Sequence, residues 1–204
     1  MPATDTPTRI GLYGGTFDPI HLGHLIIAED ALQQAHLDRL FFLPAYSAPL
    51  RPNDAETPPG DRLAMVRLAV QNFPRFSVDD FDIRQGRRVY SIETVRHYRA
   101  QFPKAELFFL IGRDQYDQLA SWQSIDELRR EVTFLCAARE GGEDRDSEPQ
   151  ANKSNLSVKF LPTRRIDISA TEIRTRILAG QSVRSLLPAA VADYLEGNSL
   201  YSRG

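Results

Sequence analysis

Apolar and polar positions fall into short alternating blocks along the chain. "RIGLYGG" (9–15) is an apolar run closed by two glycines, and over 22–35 Leu22, Leu25, Ile26 and Leu32 recur at helical spacing. The two blocks predict a buried strand and then a helix. "RLFFLPA" predicts a second strand, and the Pro-rich polar stretch 46–60 a long loop, before "GDRLAMVRLAVQNF" resumes a helical period. Next, "FSVDDFDI" predicts a strand, "SIETVRHYRAQF" a helix, and "AELFFLIG" and "EVTFLCAA" two more strands, and after the polar stretch 140–155 the apolar pattern resumes at "LSVKFLP". "ATEIRTRILAG" and "PAAVADYLEG" close the chain as helices, each with a Gly suited to a C-terminal cap. Strands alternating with helices predict a three-layer α/β fold with a parallel sheet covered on both faces. The stretch 140–155 holds no apolar residue larger than Ala or Pro and predicts a mobile loop. The expected organisation is one domain over 1–204, with a small helical part from 169 to 204.

Composition narrows the functions on offer. The 204 residues are 42% hydrophobic, enough for one continuous core. Lys and Arg number 25 against 27 Asp and Glu, a net charge of -2, so bulk electrostatics favours neither a nucleic acid nor a membrane surface as partner. Any phosphate recognition must then be local. Cys136, the only cysteine, lies in apolar "VTFLCA" and reads as a buried structural thiol, which excludes a disulfide framework. The start "MPATDTPTR" lacks the apolar core of a secretory signal, and no apolar run approaches the ~20 residues of a membrane span. A cytoplasmic protein is expected.

The chemistry concentrates in "YGGTFDPIHLGH" (13–24). Glycines at a strand's carboxyl end let backbone N–H groups approach a ligand, and the following helix N-terminus favours an anion. Gly-Gly after a strand is also an ordinary turn. His21 and His24, three apart at the helix start, can project to one side beside that turn. The absence of a Gly-Lys-Ser or Gly-Lys-Thr sequence rules out the usual P-loop. His-x-x-His can also ligate zinc, with only Asp18 near as a third ligand, or the pair can be partly buried and satisfied by backbone. Farther on, "DISATEIR" reads as a helix start with Ser169 as N-cap and Glu172 completing a capping box, while Arg174 adds a cation fit for phosphate. Gly112 and Asp114 in "LIGRDQ" end a buried strand, where doubly wound sheets bind ligands; Asp114 can accept from ribose hydroxyls or serve as a helix N-cap. Trp122 stands in polar "ASWQS", though a core role is the default for Trp.

"GGTFDPIHLGHL" and "ISATEIRTR" together resemble the paired motifs of the nucleotidyltransferase superfamily. Within it the chain resembles the bacterial nicotinate-nucleotide adenylyltransferases, from about residue 10 to 201 and most weakly over 140–155. "GRRVYSIETV", "FFLIGRDQYDQLASWQSIDEL" and "LLPAAVADYLEGNSLY" follow in the family's order. The resemblance implies a Rossmann-like nucleotidyltransferase fold and adenylyl transfer from ATP to nicotinate mononucleotide, in NAD biosynthesis. ATP would be held by Gly14, Gly15, Thr16, Phe17, His24, Gly112, Asp114, Ser169, Thr171 and Arg174, with His21, His24 and Arg174 catalytic. Nicotinate mononucleotide would meet Thr16, Arg51, Tyr90, Ser91 and Trp122, the indole stacking on the pyridine ring and the Ser91 hydroxyl receiving the carboxylate. Mg²⁺ would arrive on the ATP phosphates, with no metal held by the protein alone.

Two positions depart from the family: Leu50 stands for a loop His, and Arg139 lacks the Pro that tends to follow it. Ser91 stands where Thr is commoner and keeps the hydroxyl. A sibling transferase acting on nicotinamide mononucleotide or phosphopantetheine, or a nucleotide-binding module without turnover, are the competing readings. The sequence leaves room for a homo-oligomer.

Overall fold

The computed structural model describes residues 7–47, 57–139, 156–163 and 166–202. Leu50, Arg51 and the expected mobile loop at 140–155 lie outside the described residues. Strands β1 (Arg9–Gly15), β2 (Arg39–Pro44), β3 (Phe76–Val78), β4 (Glu106–Gly112), β5 (Val132–Arg139) and β6 (Val158–Thr163) form one sheet in the order β3-β2-β1-β4-β5-β6. Every pairing in it is parallel. Helices α1 (Leu22–Gln34), α2 (Pro59–Val70), α3 (Phe81–Arg84), α4 (Ser91–Gln101), α5 (Arg113–Asp117), α6 (Ile125–Glu131), α7 (Ala170–Leu178) and α8 (Ala189–Gly197) connect and follow the strands, with a 3₁₀ turn at Leu119–Ser121.

Alternation along the strands divides the core into two layers. Ile10, Leu12, Phe109, Ile111, Phe134 and Cys136 pack on one face with residues of α4 and α6. On the other, Tyr13, Phe108, Leu110 and Leu135 pack with α1, α2, α7 and α8. Cys136 is fully buried, and burial pushes its thiol up to about 12, as befits a structural residue. The chain winds from β1 outward to β3, then crosses back to place β4 on the other side of β1. That reversal opens a crevice at the carboxyl ends of β1 and β4, the position where doubly wound sheets bind ligands. Among the described residues no helix is long and apolar enough to cross a membrane.

Four expectations need correction. The strand at "FSVDDFDI" stops at Val78, because the Asp79 carboxylate accepts the Phe81 N–H at 2.9 Å and turns the chain into α3. The segment 113–131, given no element from its pattern, forms α5, the 3₁₀ turn and α6, each too short to show a clear period. The capping box at the start of α7 is half formed. Ser169 Oγ accepts the Glu172 N–H at 3.1 Å, while the Glu172 carboxylate turns to Arg176 at 2.8 Å, a charge-assisted bond in place of a neutral one. Finally, Gly180 caps α7 with φ 68, as expected, but Gly197 remains within α8 and Ser199 takes the left-handed position with φ 50. The Leu200 N–H then closes the α8 cap on the Leu195 carbonyl at 3.1 Å.

These caps differ only in whether a Cβ must sit at positive φ, so the two sites should answer with opposite signs. Gly180→Ala should destabilise the chain by about 1 kcal/mol and Ser199→Gly stabilise it by a similar amount. Urea unfolding at constant m-value measures both.

Candidate active site

The carboxyl end of β1 delivers Gly14 and Gly15 into a tight turn. A Cβ on Gly15 would lie 2.8 Å from the Phe17 ring, so the side chain of Phe17 can fold back only over a glycine. Phe17 itself stands at φ 51, a conformation that non-glycine residues rarely hold. Its ring is buried and meets Tyr13 and His24 edge to face, with centroids 5.5 and 5.1 Å apart. The Phe17 ring thus packs over the turn and against the His24 ring.

His21 caps the start of α1, and its ring stacks on that of His24 with centroids 3.7 Å apart. Gly23 makes this stack possible, because a Cβ there would come within 3.0 Å of the His21 ring and 3.3 Å of Ile166. The His21 N–H donates to His24 Nδ1 at 3.2 Å, which leaves the proton of a neutral His24 on Nε2 as an outward donor. Burial pushes His21 down to about 4. Burial, reinforced by the neighbouring His21, also holds His24 well below the ordinary imidazole range. Both rings are therefore neutral at pH 7, and His21 Nδ1 is buried with no hydrogen-bond partner.

From the far end of the chain, Arg174 of α7 reaches this turn and donates from Nη1 to the Asp18 carbonyl at 2.8 Å. Of the other two α7 residues singled out from sequence, Ser169 is occupied with its cap, and both Ser169 and Thr171 are exposed. Across the crevice, β4 ends at Gly112, whose N–H donates to Gln115 Oε1 at 3.0 Å. The Asp114 carboxylate lies over Gly112, 2.8 Å from where a Cβ would sit, and helps burial raise the Tyr13 hydroxyl above its usual range.

A second group of residues gathers on the opposite face of the sheet. Trp122 is partly buried, edge to face with Phe109 and Phe134 at 5.8 and 6.2 Å, and its indole N–H is buried without a partner. Phe109 also lies 3.6 Å from a Cβ placed on Gly14, so one ring separates the glycine turn from the indole. Tyr90 packs in the same layer and precedes Ser91, the first residue of α4; its carbonyl accepts the Glu93 N–H at 2.8 Å. Glu93 in that turn accepts the Tyr90 N–H at 3.1 Å and is gripped by Arg87 through both oxygens, which offsets its charge at this helix start. Arg51, expected to touch substrate, lies outside the described residues.

Two residues escaped the sequence reading, and a third was read there for another role. Gly23 was legible only as part of a motif. Asp18, weighed from sequence only as a third zinc ligand, is buried at 3% exposure. Arg62 did give a local signal: it falls on the buried stripe of α2 with Met65, Val66 and Ala69, a cation where the period calls for an apolar side chain. A recess of about 470 Å³ lined by Leu32, Gln33, His36, Leu37, Asp38 and Arg75 lies at the sheet's other end, where Asp38 is engaged by the Thr8 and Arg9 N–H groups. It is remote from this chemistry. Among the described residues no three His, Cys, Asp or Glu side chains are grouped to hold a metal.

A doubly wound parallel sheet with a glycine turn, a histidine pair and a remote arginine at its crevice defines a nucleotidyltransferase. Residues 12–176 match the cytidylyltransferase-like family. A probable nicotinate-nucleotide adenylyltransferase of Opitutus terrae is 40% identical over 95% of this chain and 97% of that protein. The corresponding protein of Shouchella clausii is 39% identical over 95% and 96%. The chain belongs to the cytidylyltransferase-like family and, within it, to the nicotinate-nucleotide adenylyltransferases. Two solved structures share the fold. Plasmodium falciparum nicotinic acid mononucleotide adenylyltransferase complexed with NaAD superposes with a TM-score of 0.75 at 16% identity, covering 95% of this chain and 97% of that one. A putative nicotinate-nucleotide adenylyltransferase from Vibrio parahaemolyticus gives 0.68 at 17% identity, covering 95% of each.

The depressed His21 makes the folded chain sensitive to acid. Unfolded, this imidazole takes up a proton near 6.5, whereas folded it does so only near 4, so its effect is absent above pH 6.5 and destabilises progressively as pH falls to 4. Between those limits wild type should lose about 3 kcal/mol more stability than His21→Asn. Urea unfolding across that pH range measures the difference.

Proposed function

We propose that the chain transfers the adenylyl group of ATP to nicotinate mononucleotide, forming nicotinate adenine dinucleotide and releasing pyrophosphate. The 5′-phosphate of the mononucleotide attacks the α-phosphorus of ATP, and the bond from that phosphorus to the β-phosphate oxygen breaks. A phosphate monoester is already anionic at neutral pH, its second pKa being ~6, so the step needs neither a protein nucleophile nor a general base. It needs alignment and stabilisation of the charge that develops. The observation that carries the assignment is the meeting of Arg174 with Asp18 across 156 residues of sequence, in the turn between the glycines and the histidines.

In this assignment the backbone N–H of Thr16 and the Nε2–H of His24 face the reacting phosphates, while the Gly15 N–H, expected to join them, is taken up by the pairing of β1 with β2. His21 orients His24 through its own N–H and the ring stack. Arg174 and Ser169 take the departing pyrophosphate, and Gly112 and Asp114 receive the adenosine end. Mg²⁺ arriving on the ATP phosphates would neutralise charge on the polyphosphate. The α4 N-terminus and the Ser91 hydroxyl receive the nicotinate carboxylate, and Trp122 stacks on the pyridine ring.

Two measurements test this. His24→Ala should lower kcat by ~10² to 10³ in a pyrophosphate-release assay while ATP affinity changes little, because the lost donor acts on the transition state. Release of a bound zinc with unfolding would instead point to a metal role for the pair. On the acceptor side, a carboxylate pairs with N–H and hydroxyl donors that an amide NH₂ would leave unmatched, so the acid should be preferred by ~10⁴ or more in kcat/KM. Ser91→Ala should narrow that ratio and Trp122→Ala should weaken both mononucleotides alike. A wild-type ratio near one would overturn the assignment of selectivity to α4.

A further inference from the structure

Arg62 is the largest side chain buried completely in the described core. Its guanidinium bonds three main-chain carbonyls: Nη1 donates to Thr16 at 2.6 Å, Nη2 to Tyr46 at 3.0 Å and Nε to Thr57 at 3.1 Å. Those carbonyls belong to the turn after β1, the chain leaving β2 and the chain entering α2. The nearby Asp18 carboxylate, itself buried, favours the charge. Asp18 in turn accepts a hydrogen bond from the hydroxyl of Tyr201, and the Thr57 side chain also bonds Tyr201. Four parts of the chain thus meet beneath the phosphate-facing turn, one of them at the end of the described residues.

Packing alone does not account for a cation here. Burying a charge costs several kcal/mol, and an apolar residue of similar volume is often tolerated as well or better. What an apolar residue would not do is hold carbonyls. A trans peptide directs its C=O and N–H to opposite sides. With the Thr16 carbonyl turned down onto Arg62, the Phe17 N–H is turned away from it. The Asp18 carbonyl is fixed likewise by Arg174. Phe17, at positive φ between these two peptides, keeps its unfavourable conformation because its neighbours are held on both sides.

We propose that Arg62 and Tyr201 are positioning residues for adenylyl transfer, acting through the Thr16 carbonyl and the Asp18 carboxylate to hold Phe17 and His24 in register with the reacting phosphates. The proposal rests on the adenylyl-transfer assignment. Lys at 62 keeps the charge but has no fork to span three carbonyls, and Phe at 201 removes a single hydroxyl.

Steady-state kinetics with both substrates, on folded protein well below its unfolding midpoint, would be paired with NMR of the histidine ring protons in the ligand-free chain. Arg62→Lys should lower kcat by ~10² with KM little changed, since misplacement of the reacting groups is felt in the transition state. Tyr201→Phe should lower it by about tenfold, the loss of one buried hydrogen bond. In both, the His24 ring resonances should shift, because the Phe17 ring whose edge meets His24 is no longer held. Unchanged turnover in folded Tyr201→Phe overturns the proposal whether or not Arg62→Lys folds, as does a lowered melting temperature with unchanged kcat in Arg62→Lys. A wild type without transferase activity whose His24 resonances still shift in both variants would defeat the assigned reaction and leave the bracing of the turn intact.

Discussion

Carbonyls that a turn directs into the protein beyond the reach of a sheet each require a donor. This constraint shapes the region between β1 and α1. Strand pairing supplies donors only as far as Gly15, whose carbonyl accepts the Ala45 N–H at 2.9 Å. Beyond it, Thr16 and Asp18 face inward with no neighbouring strand, and two guanidiniums from α2 and α7 serve in its place. The positions of both helices follow. α2 must bring Arg62 under the sheet edge, and the C-terminal helices must pack on the α1 face for Arg174 to arrive, which they do through Ile173, Leu187, Val191 and Leu195.

The same low-polarity surroundings decide the state of the histidines. Stacked rings 3.7 Å apart cannot both be protonated cheaply, and burial disfavours even one charge. The neutral pair offers a directed N–H rather than a mobile cation, and the bond from the His21 N–H to His24 Nδ1 selects which nitrogen carries the proton. Positive charge comes instead from Arg174, which is anchored at one nitrogen. A directed donor and positive charge thus come from separate residues, which suits the roles proposed for them in a reaction whose nucleophile arrives ready ionised.

Strand and helix periods made most of the sheet legible. β4 is an uninterrupted apolar run with both faces covered, and β1 ends where its glycines begin. Elements shorter than two turns, such as α5, were not legible, because one turn of polar residues has no period to read. Within the site, the motif residues Gly15, His21 and His24 could be named, and Arg174 too, since each stands in a recognisable run. Their supports could not. Asp18 depends on Tyr201, 183 residues away, and Arg62 depends on a carbonyl, which every residue possesses and no sequence pattern marks. Arg62 was visible only as a breach of the apolar stripe of α2, a signal of burial without an indication of partner.

The two halves of the crevice differ in the kind of order they require. On the α1 face, polar groups of the turn are fixed by hydrogen bonds from remote residues. On the α4 face, Trp122 is held by aromatic edges, a contact that tolerates small displacements because stacking varies slowly with lateral shift. Phe109 touches both, lying beside Gly14 and against the indole. A Cβ at Gly14 would sit in ordinary van der Waals contact with that ring at 3.6 Å, whereas one at Gly15 would collide with the Phe17 ring at 2.8 Å. Of the two glycines it is therefore Gly15 whose bare backbone the packing demands, because only there does an aromatic ring fold over the turn within the reach of a Cβ.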